Sequence, residues 1–388
     1  MSYRYRTIYR EPAKCDPTGE KISLWGAAFS PCQQEAQPNK STLIASSSGY
    51  CHLLIASSVG SVLCYHLQDK NDSADISTLT QTNALNVHGD STGLGCAAVS
   101  TIENDVGESV VASITLNGDV RLYHHQRLPS STKEASTMHF IADTYFTVAN
   151  ATGNNVSICP CQCEGEVIVA VGCIDGSTKM FHTGLTLGSN RKGTAMRQAV
   201  PPGTLLETMG QGNSCVMSIA WSPKGELLAV GRKDGIVDVF SSPVSVGAFN
   251  REGSSSSGIH CRVHRMVAHS SFVRAVSFSP DGALLLTGGD DGRVHAYDIM
   301  RRKVALVGSF VGHKSWILGI TWHPDASRFA TCSADKTVKI WEASTRQNVH
   351  TFDGHKDKVW GITFSPCGTR LASCGDDGII QIYSCEKQ

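Results

Sequence analysis

The residues that invite a chemical reading lie mostly in the last third of the chain. His313, Ser333 and Asp335 are the three residue types of a nucleophilic hydrolase. A serine nucleophile also needs an exposed pocket with an oxyanion donor beside it, and no neighbouring segment marks one. The densest thiol group is Cys159-Pro160-Cys161-Gln162-Cys163. Structural zinc sites space paired ligands by two to four residues, whereas here the spacing is one. Alternate residues of a strand share one face, so these thiols would converge on an ion only with a bulge and a fourth ligand from elsewhere. Gly118-Asp119 and Gly288-Gly289 read as turns, because no helix-period segment follows either to hold a phosphate. The sequence therefore predicts no catalytic residue, no cofactor and no metal site.

The elements that carry these residues repeat. Ala268-His269, Phe278-Ser279-Pro280-Asp281-Gly282, Asp291-Gly292 and Tyr297-Asp298 recur as Gly312-His313, Trp322-His323-Pro324-Asp325, Asp335-Lys336 and Trp341-Glu342. A third copy has Gly354-His355, Phe364-Ser365-Pro366-Cys367-Gly368, Asp377-Gly378 and Tyr383. The histidines step by 44 and then 42 residues. Within one unit, 273–278, 284–287, 294–297 and 303–310 are β-branched or aromatic runs, and turn residues divide them into four short strands. Asp-Gly supplies the positive φ of the tight second hairpin. Walking back, the same turn falls at Asp234-Gly235, Asp175-Gly176, Asn117-Gly118 and Val59-Gly60, at steps of 57, 59, 58 and 58 residues. Seven turns predict seven units within one domain, 1–388. Polar stretches near 68–93, 126–140, 183–214 and 241–262 read as long surface loops.

Stacked sheets extend one core, so a repeat fold accommodates 388 residues in a single domain. Lys+Arg and Asp+Glu are both 34, which argues against a surface built to hold nucleic-acid backbones. No apolar stretch approaches the ~18 residues of a membrane span. The basic, aromatic start, Met1-Ser2-Tyr3-Arg4-Tyr5-Arg6, lacks the apolar region of a secretory signal. Fifteen scattered cysteines then read as reduced thiols, which predicts the cytoplasm, with the nucleus also open. The last unit has room for only three strands. The β-like segment 3–9, ahead of a first inner strand at 22–29, would complete it and remove two open edges.

A period near 40–45 with His and a terminal Trp-Asp-like pair resembles the WD-repeat family of β-propellers. That resemblance implies an all-β, seven-bladed ring. It also gives His313, Ser333 (or Thr331), Asp335 and Trp341 a structural role, as a hydrogen-bonded chain that satisfies polar groups buried between blades. The other two histidine-bearing repeats end in Tyr297 and Tyr383.

Finer details carry a narrower likeness. They include His269-Ser270-Ser271-Phe272-Val273-Arg274, Asp290-Asp291-Gly292-Arg293-Val294, His313-Lys314-Ser315-Trp316-Ile317-Leu318 and the run from Ser333 to Trp341. Thr345-Arg346-Gln347-Asn348, Val359-Trp360-Gly361 and Gly375-Asp376-Asp377 belong with them. Together these segments resemble the WD-repeat subunits of superkiller (Ski) complexes, closely over about the last 130 residues and weakly between Gln68 and Ser214. The resemblance implies a non-enzymatic scaffold, a monomeric propeller in a hetero-complex with a tetratricopeptide-repeat protein and an RNA helicase. That assembly supports exosome-mediated 3′-to-5′ messenger RNA decay. In animals the same subunit joins the RNA-polymerase-associated factor complex. A chromatin or ubiquitin-ligase scaffold would share every fold-level feature. No direct nucleic-acid or membrane contact is expected.

By the same resemblance, short partner segments with a Gln-Arg-x-x-hydrophobic pattern dock on the top face. Its exposed rim positions lie four residues before the closing aromatic of each inner strand, and just before each turn. Those positions are Trp25, Met217, Arg274, Leu318 and Trp360, with Lys233, Asp290 and Asp376 before the turns. Aromatic residues with Arg are the composition of binding hot spots, and Asp290 or Asp376 could pair with a partner arginine.

Overall fold

The computed structural model describes residues 3–12, 22–29, 51–58, 61–70, 73–86, 96–103, 109–126, 139–160, 166–186, 200–210, 214–241, 261–301 and 303–387. Over those residues the chain forms seven four-stranded antiparallel sheets arranged as the blades of a β-propeller. β1 (Tyr3–Pro12) belongs to the last blade. Blade 1 follows with β2 (Leu24–Phe29), β3 (Cys51–Ser57), β4 (Ser61–Lys70) and β5 (Ser73–Asn86). Blade 2 has β6 (Cys96–Glu103), β7 (Ser109–Thr115), β8 (Asp119–Gln126) and β9 (His139–Thr147). Blade 3 has β10 (Ala151–Ile158), β11 (Glu166–Cys173), β12 (Thr178–Thr186) and β13 (Thr204–Met209). Blade 4 has β14 (Val216–Trp221), β15 (Leu227–Arg232), β16 (Ile236–Ser241) and β17 (Arg262–Val267). Blade 5 has β18 (Val273–Phe278), β19 (Leu284–Gly289), β20 (Arg293–Asp298) and β21 (Ala305–Val311). Blade 6 has β22 (Ile317–Trp322), β23 (Arg328–Ser333), β24 (Val338–Glu342) and β25 (Asn348–Phe352). Blade 7 has β26 (Val359–Phe364), β27 (Arg370–Gly375) and β28 (Ile379–Lys387), with β1 outside them.

The turns that count the blades stand where the sequence puts them. Gly118, Gly176, Gly235, Gly292 and Gly378 have φ between 71° and 85°, and Lys336 takes the same conformation at 71°. Gly235 shows why glycine is favoured there. A Cβ at that position would lie 2.1 Å from the carbonyl oxygen of His269, so the turn can pass under the next blade only without a side chain. Val59-Gly60 lies outside the described residues.

Two of the stretches read as loops contain outer strands. Residues 68–93 hold the end of β4 and all of β5, and 183–214 hold the end of β12 and all of β13. The outermost strand of a blade is paired on one side only and faces solvent. In β13 and β17 exposed and half-buried residues alternate with little fully buried surface. Such strands tolerate polar composition, and polarity is what made these stretches look like loops. Residues 127–138 and 242–260, the centres of the other two predicted loops, lie outside the described residues.

The core is a set of apolar layers between neighbouring blades. Val273, Val276 and Phe278 of β18 pack with Ala229, Val237 and Val239 of blade 4. Across the seam, Leu24, Leu53 and Ile55 of blade 1 pack with Ala372, Cys374, Ile380 and Ile382 of blade 7. The ring closes as the sequence predicts, and the closing strand runs on to Pro12. β1 pairs with β28 from Tyr3↔Lys387 to Pro12↔Ile379, with one irregularity between Thr7 and Tyr9. Tyr5 fastens it to blade 6, where Arg328 Nη1 donates to the Tyr5 hydroxyl at 2.7 Å.

Candidate functional site

The inner strands deliver their second residues to one mouth of the central channel. Trp25 of β2, Met217 of β14, Arg274 of β18, Leu318 of β22 and Trp360 of β26 all line a cavity of about 460 Å³. Asp376, just before the blade 7 turn, completes the predicted members of that lining. Six of the eight predicted rim residues therefore share one pocket. Lys233 and Asp290 lie outside it and act on neighbours. The lining also contains Ser23, Leu116 and Asn155. Leu116 immediately precedes Asn117, so the rule that picks Asp376 would have found it. Asn155 carries no such signal, because β10 ends in Ile158 rather than an aromatic residue. It is held by a hydrogen bond from its amide to the carbonyl of Val216 at 3.4 Å.

The best-defined side chain in the mouth is Arg274. Asp290 accepts both from its Nε and, at 3.0 Å, from Nη2. Its guanidinium carbon lies 5.0 Å from the centre of the Phe272 ring and 4.7 Å from that of Trp316. The Lys233 ammonium lies 5.2 Å from the centre of the same Phe272 ring, and that of Lys358 lies 5.8 Å from the centre of Trp316. Two-point pairing with stacking fixes a guanidinium that would otherwise lose entropy on binding. Among the described residues Asp376 has no ion pair and the buried Trp360 indole nitrogen has no hydrogen-bond partner. The mouth thus joins apolar anchors (Trp25, Met217, Leu318, Trp360) to a held cation and an available carboxylate.

A profile of the nucleolar protein 10-like N-terminal β-propeller domain matches residues 178–384, just over half of the chain. The chain belongs to that family. It is a WD-repeat β-propeller, and named relatives agree. Actin-interacting protein 1 of Drosophila melanogaster is 41% identical over 83 residues, 21% of this chain and 13% of that protein. WD repeat-containing protein 1 of Bos taurus is 30% identical over 167 residues, 35% of this chain and 28% of that protein. Human echinoderm microtubule-associated protein-like 2 is 38% identical over 79 residues, 20% of this chain and 12% of that protein. The matched part is thus less than a third of the length of each of these relatives.

The tempting triad is a structural network in this WD-repeat propeller. His313 Nδ1 donates to the Asp335 carboxylate at 2.8 Å, and Nε2 meets the Thr331 hydroxyl at 2.7 Å. Trp341 Nε1 donates to that same hydroxyl at 2.8 Å. The link is Thr331, the alternative that the sequence left open, and not Ser333. Ser333 lies two residues nearer the turn, where its hydroxyl accepts from the Asp335 backbone N–H and donates to the Ser315 carbonyl. Burial pushes the His313 pKa down, outweighing the bond to Asp335. Burial raises the Asp335 carboxyl, but hydrogen bonds from His313 and Thr337 outweigh it and hold it well below the usual range. The His313 side chain is fully buried, so it has no route to a substrate. In blade 7 the same chain runs from Asp377 through His355 and Ser373 to Tyr383. Cys159 is packed in the core between blades 3 and 4, while Cys161 and Cys163 lie outside the described residues. No helix of the described residues is long and apolar enough to cross a membrane.

Proposed function

We propose that this propeller is a non-enzymatic docking subunit that captures short segments of partner proteins at the channel mouth. The observation that carries this reading is the pairing of a pre-held Arg274 with an available Asp376 across a pocket walled by Trp25 and Trp360. Aromatic and arginine anchors in a concave pocket have the composition of binding hot spots. The rim is better suited to a polypeptide than to a phosphate backbone, since Asp290 neutralises its arginine and Asp376 adds a carboxylate.

The likeness to Ski-complex subunits narrows the reading. On it, the partners are a tetratricopeptide-repeat protein and an RNA helicase, and the assembly supports 3′-to-5′ messenger RNA decay by the exosome, in the cytoplasm and with a nuclear counterpart. Asp376 then takes the partner's arginine and the Trp25–Trp360 wall takes its apolar residue. A second reading has its own support. The matched profile is described as nucleolar protein 10-like, and the relatives carry actin- and microtubule-related names. The same mouth would then serve another assembly.

Affinity purification of the tagged chain with mass spectrometry separates the two. Recovery of a helicase with a tetratricopeptide-repeat protein supports the first reading, and recovery of a different stable set supports the second. Trp360→Ala and Asp376→Arg should each weaken capture by at least ~30-fold, the cost of a hot spot, with an unchanged circular dichroism spectrum. Full capture by both variants would sink the docking site under either reading.

A further inference from the structure

Five side chains on the rim of the mouth stand in one chain of contacts, cations and aromatic rings in turn. Lys233, just before the blade 4 turn, reaches Phe272. Arg274 of β18 reaches both Phe272 and Trp316. Lys358, at the entry to β26, reaches Trp316 from the far end. The row runs from blade 4 to blade 7, and its middle member, Arg274, lines the mouth. Trp316 is 38% exposed, so the row stands at the surface.

The three cations are not equivalent. Arg274 is neutralised, because Asp290 accepts from two of its nitrogens. A ring attracts an ammonium group to its face but offers no lone pair, so the three N–H donors stay available. Lys233 and Lys358 are therefore positioned without being neutralised. Among the described residues neither has a carboxylate within ion-pair distance. Other lysines are committed to neighbours: Lys179 donates to the Ala149 carbonyl and Lys339 to the Thr351 hydroxyl. A long side chain that is already placed loses less entropy when it pairs.

The chemistry that fits two such groups is a pair of carboxylates at set positions. A polyanion fits less well, because Asp234, Asp291, Asp335, Asp376 and Asp377 belong to the turns on the same face and leave it without a broad positive field. The Asp376 N–H also donates to the Lys358 carbonyl at 2.9 Å. A carboxylate suited to a partner's arginine thus stands next to an ammonium suited to a partner's acid.

We propose that Lys233 and Lys358 bind carboxylates on either side of the segment docked in the mouth, so that this rim takes partner segments whose arginine and apolar anchors are flanked by acidic residues. The proposal rests on the docking reading above and adds the charge pattern of the partner. A segment of one charge sign throughout satisfies only half of the rim.

Fluorescein-labelled peptides with a common Gln-Arg-Ala-Ala-Leu core test it, with two alanines, two glutamates or two lysines on each side. Anisotropy titrations with the full-length protein should show the glutamate-flanked peptide binding about tenfold more tightly than the alanine-flanked one, the yield of two exposed but pre-placed ion pairs. The lysine-flanked peptide should bind most weakly. Lys233→Ala combined with Lys358→Ala should collapse the ratio between the glutamate and alanine peptides to near one, and Lys358→Glu should narrow the gap to the lysine-flanked peptide. Equal binding of the glutamate and alanine peptides, or a ratio that survives the double variant, would overturn the proposal and leave the docking site standing. Binding by none of the three would remove the docking of this core and the proposal with it. Displacement of the glutamate-flanked peptide by a single-stranded oligouridylate at the same concentration would also overturn it, since the lysines would then be reading a polyanion.

Discussion

Blades 4 and 6 solve one problem in two ways. Each must satisfy polar groups where the loop from the preceding blade crosses its second turn. Blade 6 does so with neutral and singly charged groups in series, Trp341 to Thr331 to His313 to Asp335. Blade 4 has no histidine there. Arg232 fills the space, with Nε on Asp238 at 3.0 Å and Nη1 on the carbonyls of Gly176 and Ser214. The guanidinium fits because Gly210, at φ +60°, leaves room. A Cβ there would lie 2.9 Å from Nη2. Arg232 is 3% exposed and Asp238 1%, so this pair is cut off from water. Arg262 and Arg265 approach the same carboxylate from the outer strand at 3.8 Å. The network of blade 6 distributes its cost over several hydrogen bonds, and that of blade 4 concentrates it in one buried ion pair.

That contrast can be broken most forcefully at Asp238. Asp238→Ala leaves Arg232 buried and uncompensated, with an expected loss of about 3–5 kcal/mol in denaturant unfolding. Arg232→Met together with Asp238→Leu should recover most of it, since an apolar pair of similar volume avoids desolvation altogether. If the double variant is as unstable as the single one, the blade depends on the carbonyl contacts of Arg232 and not on the pair.

Next in size is Thr331→Val, which strands both Trp341 Nε1 and His313 Nε2 at a cost of about 2–3 kcal/mol. Thr287→Val in blade 5 should cost roughly half as much, because only His269 loses a partner. Equal costs would show that blade 5 has a donor into Thr287 after all.

The smallest effect is on pH dependence. The Asp335 and Asp377 carboxyls are held below the usual range, so their contribution is present above the unfolded pKa of about 4 and fades as pH falls through the folded values. His313 works in the same direction. Its folded pKa is depressed, so the unfolded chain takes up a proton first, from about pH 6.5 downward. Melting temperature should fall with pH in both ranges, and Asp335→Asn should make the acid limb shallower. An unaltered limb would mean that other carboxylates drive acid unfolding.

The regular blades were legible because their signals are local. A turn needing positive φ, a closing aromatic and a histidine at fixed spacing follow from backbone geometry, and β18 runs over the residues that sequence alone assigns to it. The closing strand was legible for a different reason, as the spare segment that an incomplete blade requires. β13 was not legible, since an outer strand with half its face in water needs no apolar pattern, and β5 takes the same outermost position in its blade. Neither was the Arg232–Asp238 pair: the two residues are six apart, and only the hairpin between β15 and β16 shows that they face each other. At the channel mouth, positions set by strand register were readable. Asn155 was not, because its role depends on a neighbouring blade's carbonyl.

The closing strand also sets an order of events. Tyr3 pairs with Lys387, so β1 is made first and finds its place last. At roughly 5–20 residues per second of synthesis, it waits on the order of 20–75 s while the six other blades emerge. Until blade 6 is made, a ten-residue strand and the open flank of the newest blade are both free to pair with other chains. The clamp between Tyr5 and Arg328 lies in blade 6, one blade ahead of the strand's final partner. The first strand can therefore be held near its destination before β28 exists to receive it.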